Sequence, residues 1–209
     1  MNKLKIGDAV CLGWNLYKDN MGLCTLATLV CMLVNGVSCG ICGGPLVCGT
    51  FMILQRLIKK SEPHPTVGDV FKGFDVFLHS FLLVLISGVG VFLLHLLLGV
   101  IPVVGWIVSV ALSLVYTPIL FWSLMLIANR NMKWADAIGF VLKELFNGNF
   151  TAPVVLGIIA GFICGAGCML CGIGVIFTMP LSYCIYAAAY ELLFSPVSVS
   201  APQEAELVD

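Results

Sequence analysis

Residues 78–129 read LHSFLLVLISGVGVFLLHLLLGVIPVVGWIVSVALSLVYTPILFWSLMLIAN, without one Asp, Glu, Lys or Arg. A bilayer-spanning helix takes about 20 mostly apolar residues, because each residue rises about 1.5 Å through a hydrocarbon core about 30 Å thick. The stretch is too long for one span and suits two. A return turn is expected at Ile101-Pro102-Val103-Val104-Gly105-Trp106, where Pro and Gly interrupt the apolar run. Its reading is a helical hairpin in lipid.

Two further blocks have the same character, Met21 to Gln55 and Phe150 to Tyr190, again without Asp, Glu, Lys or Arg until their ends. Their expected turns are Asn35 to Pro45, rich in Gly and closed by Pro, and Cys171 to Gly174. The expectation is an all-α membrane protein of about six transmembrane helices arranged as three hairpins. Composition agrees: 60% of the residues are hydrophobic and only 10% charged, against roughly 25% charged in a soluble domain. A net charge of −1 gives none of the basic footprint that nucleic acid requires, so no nucleic-acid partner is expected.

Every Lys and Arg falls on one side of this scheme, at positions 3, 5, 18, 56, 59, 60, 72, 130, 133 and 143, and the three opposite turns carry no charge. Positive charge marks the cytoplasmic side. Both termini are therefore expected in the cytoplasm, with Trp14, Trp106 and Trp134 near the interfaces. Met1 to Val10 lacks an apolar core with a cleavage site, so no removable signal peptide is expected.

Each hairpin is preceded by a short stretch with a similar opening: Ile6-Gly7-Asp8-Ala9-Val10, Val67-Gly68-Asp69-Val70-Phe71, and Trp134-Ala135-Asp136-Ala137-Ile138. Apolar residues then recur at helical spacing. They are Ile6, Ala9, Val10, Gly13 and Tyr17 in the first, and Val67, Val70, Phe71, Phe74, Phe77 and Leu78 in the second. In the third they are Trp134, Ala137, Ile138, Val141, Leu142 and Leu145. The pattern predicts amphipathic cytoplasmic helices lying in the headgroup region or beneath the bundle, and so a threefold internal repeat. One helical membrane domain, 1–194, is expected, with units of about 5–60, 66–129 and 133–194. The Ser-, Pro- and Glu-containing tail 195–209 reads as a disordered cytoplasmic segment.

Trp14-x-x-x-Lys18-x-Asn20, Asp69-Val70-Phe71-Lys72-Gly73-Phe74 and Ala189-Tyr190-Glu191 resemble segments of uncharacterised bacterial polytopic membrane proteins. Some of these are related to the membrane domain attached to glycerophosphoryl diester phosphodiesterases. The likeness covers most of residues 5–194 through short motifs. It implies residence in the bacterial inner (cytoplasmic) membrane. No phosphodiesterase catalytic domain is expected with it, and it brings no activity.

Four features are candidate sites. His95, in Leu93-Leu94-His95-Leu96, is read as an ionisable group deep in a span; it relays a proton, binds a ligand, or hydrogen-bonds Asn35, Ser109 or Tyr116. Cys39-x-x-Cys42 and Cys168-x-x-Cys171 sit near outer turns and read as packing residues, disulfides or zinc ligands. Asp8, Asp69 and Asp136 form either a cytoplasmic ring for an ion or headgroup, or helix-start carboxylates favoured by the macrodipole. Gly36-x-x-x-Gly40 and the Gly157, Gly161, Gly165 series allow close helix approach, within the bundle or in self-association.

Thr117-Pro118 and Met179-Pro180 interrupt the helical ladder and either shape the bundle or gate a cavity. Asn149-Phe150-Thr151 is a sequon on the expected cytoplasmic side, where it is not glycosylated. No cofactor motif is present, and an enzyme would need positioned acid–base or metal groups that the spans lack. The expected function is a non-catalytic scaffold or lipid-interacting bundle, with membrane lipids or other membrane proteins as partners. The alternative is a small transporter or pore with a site near His95.

Overall fold

A computed structural model describes residues 5–100, 102–146, 151–169 and 174–194. Among them the chain is all helical. The elements are α1 Ile6–Asp19, α2 Met21–Val37, α3 Gly43–Ile58, a 3-10 helix Val67–Val76, α4 Phe77–Leu98, α5 Pro102–Arg130, α6 Trp134–Glu144, α7 Thr151–Met169 and α8 Val175–Phe194. The three uncharged blocks thus become α2 with α3, α4 with α5, and α7 with α8. The tail 195–209, the sequon residue Asn149 and most of the third expected turn lie outside the described residues.

Among the described residues, three stretches are long and apolar enough to cross a membrane: Val67–Leu98, Val103–Arg130 and Val175–Phe194. Helices α1 and α2 meet at 92° and would add a fourth only as one broken span. The apolar helices Gly43–Ile58 and Pro153–Met169 are shorter. With 16 residues, α3 reaches about 24 Å, less than the core of an average bilayer. Among the described residues, length alone gives three full spans, or four with the broken pair, and leaves the six expected unconfirmed.

The helices are arranged cyclically. Helices α3, α5 and α8 touch one another; α2 lies between α8 and α3, α4 between α3 and α5, and α7 between α5 and α8. The lead-in helices keep the same order, with the 3-10 helix on α3, α6 on α5 and α1 on α8. The C-terminal ends of the inner three meet. Lys59 pairs with Glu191 at 3.6 Å, and the Arg130 guanidinium donates to the Phe194 carbonyl at 2.8 Å. Near that end the inner helices are buried on all sides, as at Ile53, Leu54, Leu124, Ile127, Cys184 and Ala188. Outer α4 instead exposes Leu85, Val89, Phe92, Leu93, Leu96 and Leu97. Such an apolar collar exceeds what soluble surfaces carry and suits contact with lipid.

Backbones approach closely at several glycines, and two of these contacts explain how elements seat. A Cβ on Gly49 of α3 would land on the Val70 carbonyl, and one on Gly73 would strike the Pro45 carbonyl, so only glycine lets the 3-10 helix settle onto α3. Pro118 has no N–H for the carbonyl four residues back. That carbonyl belongs to Leu114, and α7 lays Gly157 against it so closely that a Cβ there would overlap its oxygen. The proline therefore shapes a helix contact.

The lead-in helices show where the apolar pattern was read correctly. In α6, Ala137, Val141 and Leu145 are buried and Trp134, Ile138 and Leu142 half-buried, the face expected. In α1, Ala9, Gly13 and Tyr17 are buried as expected, and Leu16 joins them. The second unit differs. A 3-10 helix repeats every three residues, and its buried line is Val70, Gly73 and Val76. Phe71, Phe74 and Phe77, expected on one apolar face with Val67 and Val70, lie off that line, Phe71 and Phe74 exposed and Phe77 half-buried, and stack with Phe81 as a ladder at 6.2, 6.0 and 5.6 Å.

Candidate functional site

The bundle is not filled uniformly. Near its middle one aromatic ring from each inner helix, Phe51, Phe121 and Tyr183, meets the others at 5.2 to 5.6 Å, with Tyr186 5.1 Å from Phe121. On the charged side of this plug the core is close-packed. On the other side a cleft of about 520 Å³ opens between α5, α7 and α8, with His95 of α4 at its edge. That size falls within the range of small-molecule sites.

The cleft follows from local sequence. Ser109, Ser113 and Thr117 recur every four residues and place hydroxyls along one face of α5. Opposite them α7 presents Gly157, Ala160, Gly161 and Cys164, side chains too small to fill the gap. Met179, Ser182, Tyr183 and Tyr186 of α8 complete the wall. Three of the six lining hydroxyls donate within their own helices. Thr117 donates to the Ser113 carbonyl and Ser113 to the Ser109 carbonyl, both at 2.8 Å, and Ser182 donates to the Thr178 carbonyl at 3.0 Å. The wall thus offers a few hydroxyl groups along a mostly carbon surface. It suits an apolar body carrying a few polar groups.

His95, read from the sequence as deep in a span, lies in the last turn of α4, half-buried, three residues before the helix ends at Leu98. Its Nδ1 lies 2.8 Å from the Val91 carbonyl of its own helix. The bond is therefore not to Asn35, Ser109 or Tyr116, although Ser109 shares the cleft. With Nδ1 engaged, Nε2 is the ring atom left to meet a ligand. Trp106, exposed, stands at the same rim.

The other candidates are dispersed. Cys39 is exposed and Cys42 half-buried in the first turn, Cys168 is exposed near the end of α7, and all three are free thiols; Cys171 lies outside the described residues. Among the described residues no three metal-ligating side chains come together, and that includes Asp8, Asp69 and Asp136. Deeper cysteines join helices: Cys31 lies 2.9 Å from the Thr50 hydroxyl, Cys48 donates to the Leu124 carbonyl at 3.4 Å, and Cys24 and Cys184 are 3.9 Å apart.

Asp8 and Asp136 are exposed in first helical turns without a side-chain cap bond. Asp69 differs. It closes a capping box with Thr66, whose N–H donates to it at 2.9 Å, and pairs with Lys72 at 2.7 Å and Arg56 at 3.6 Å. Gly157 is used against α5, Gly161 touches a Leu114 methyl, and Gly36, Gly40 and Gly165 face open space. The α5 hydroxyl face was legible in the four-residue spacing but was not singled out, since such residues more often bond their own helix.

No family model, curated protein or solved structure matches the chain.

Proposed function

We propose that this is a six-span, three-repeat protein of the bacterial inner membrane that binds an uncharged amphipathic lipid in the α5–α7–α8 cleft without catalysing a reaction. The cleft carries the reading: a carbon-lined space with a row of hydroxyl oxygens, on the uncharged side of an aromatic plug. A lipid with apolar chains and a hydroxyl donor matches that wall. The cyclic packing of lead-in, outer and inner helices supports three hairpins, with the charged ends in the cytoplasm. On that topology α2, α3 and α7 cross in a locally thin bilayer despite their length. The short motif likenesses to bacterial polytopic proteins support the location.

Native mass spectrometry of the delipidated full chain with dioleoylglycerol tests the site. Ala160→Phe, which fills the cleft, is expected to lower occupancy at least tenfold; equal occupancy would sink the proposal. For topology, Pro63→Cys and Asn131→Cys in a cysteine-free background should resist impermeant thiol reagents added outside intact cells.

The plug favours one second reading, a transporter caught open on one side only. Flux into proteoliposomes that disappears in His95→Ala would establish it.

A further inference from the structure

The charged end of the bundle contains a separate pocket of about 360 Å³, between the ends of α3 and α5 and the 3-10 helix. Met52, Ile53 and Ala128 supply carbon; Gln55, Arg56, Lys59 and Lys72 supply donors; and Asp69 and Asn129 complete the lining. Three cations thus face one carboxylate, with Glu191 behind Lys59.

The partners of these donors are unequal. Lys72 is close to Asp69, at 2.7 Å. Arg56 stands 3.6 Å from Asp69, and Lys59 3.6 Å from Glu191. Charge-assisted hydrogen bonds run at about 2.7–2.9 Å, so both cations keep N–H groups available to another acceptor. Gln55 gives the independent sign. It is only 4% exposed, and its Nε2 has no hydrogen-bond partner. A buried amide donor left unmade is costly. Asn129 cannot compensate, because its own amide already donates to the Met125 carbonyl at 2.8 Å.

A guanidinium, two ammonium groups and an orphan amide therefore converge where an anion with several acceptor oxygens would satisfy them together. Phosphate has that shape and charge, and Arg suits it through its forked donors. We propose that the pocket binds a phosphate group, supplied as the monoester headgroup of a lipid or as free inorganic phosphate. This does not rest on the cleft, which takes an uncharged ligand.

The test uses the delipidated full chain in detergent, with native mass spectrometry of bound dioleoyl phosphatidic acid and, separately, of inorganic phosphate. Arg56→Gln and Gln55→Glu are each expected to weaken binding about tenfold. Lys72→Gln, at an exposed position, is expected to weaken it about threefold and keeps the test open should the others aggregate. Binding of the lipid alone assigns the source to the membrane; binding of both assigns the pocket to phosphate itself. Unchanged affinity in soluble variants overturns the site. So would loss of phosphatidic acid in Ala160→Phe with none in Arg56→Gln, which would move the lipid to the cleft.

Discussion

The second and third lead-in segments open alike, with Asp69 and Asp136 at matching positions, yet they settle differently. Trp134–Glu144 is an α-helix whose broad stripe lies on α5 without any glycine notch; Gly139 faces open space. Val67–Val76 is wound tighter, and its narrow line of Val70, Gly73 and Val76 sits in a notch made by Gly49. Sequence periodicity was equally compatible with an α-helix in both. The partner surface decides. Where a glycine lets backbones touch, the three-residue repeat places small residues on one line and turns the phenylalanines out.

The sharpest way to break this contrast is to fill the notch. Gly73→Leu or Gly49→Val is expected to cost more than about 3 kcal/mol, since backbone must move, and to leave little monodisperse protein on size exclusion. Gly139→Ala should be neutral or slightly stabilising. A smaller effect separates the faces: Val70→Ala should cost about 2 kcal/mol in thermal melts, and exposed Phe74→Ala less than about 1. If Phe74→Ala were the worse of the two, the assigned face would be wrong.

Capping comes next. Asp69→Ala removes a capping-box acceptor and should cost about 1 kcal/mol, whereas Asp136→Ala, which has no cap bond to lose, should stay within about 0.5. The smallest difference lies just upstream. Lys60 and Asn131 both have φ of 49°, a left-handed conformation that Asn tolerates and Lys does not favour. Lys60→Gly is expected to add about 0.5 kcal/mol and Asn131→Gly almost nothing, read as melting shifts.

What the sequence disclosed tracks how local the controlling physics is. The charge-free blocks located α2 to α5, α7 and α8, because a missing charge needs no knowledge of neighbours. The α6 face followed from its own spacing. The 3-10 geometry was hidden, because it depends on Gly49, distant in the chain. The place of His95 at the cleft rim was hidden because the walls it meets on α7 and α8 are distant in the chain. The cleft and the charged pocket were hidden for the same reason: Gly157 finds Leu114, and Gln55 finds no partner, only once helices are side by side.

The unequal hairpins have a consequence for the surrounding solvent. Helix α3 has 16 residues and α5 has 29, about 24 Å against about 44 Å. On the three-hairpin topology proposed above, a bilayer wrapping both would thin beside the first pair and thicken, or let the helices tilt, beside the second, at fractions of a kcal/mol per ångström of mismatch. Around one molecule the acyl chains would then be compressed on one flank and stretched on the other. Such a gradient would draw shorter-chain lipids to the α2–α3 flank and orient the protein where membrane thickness changes.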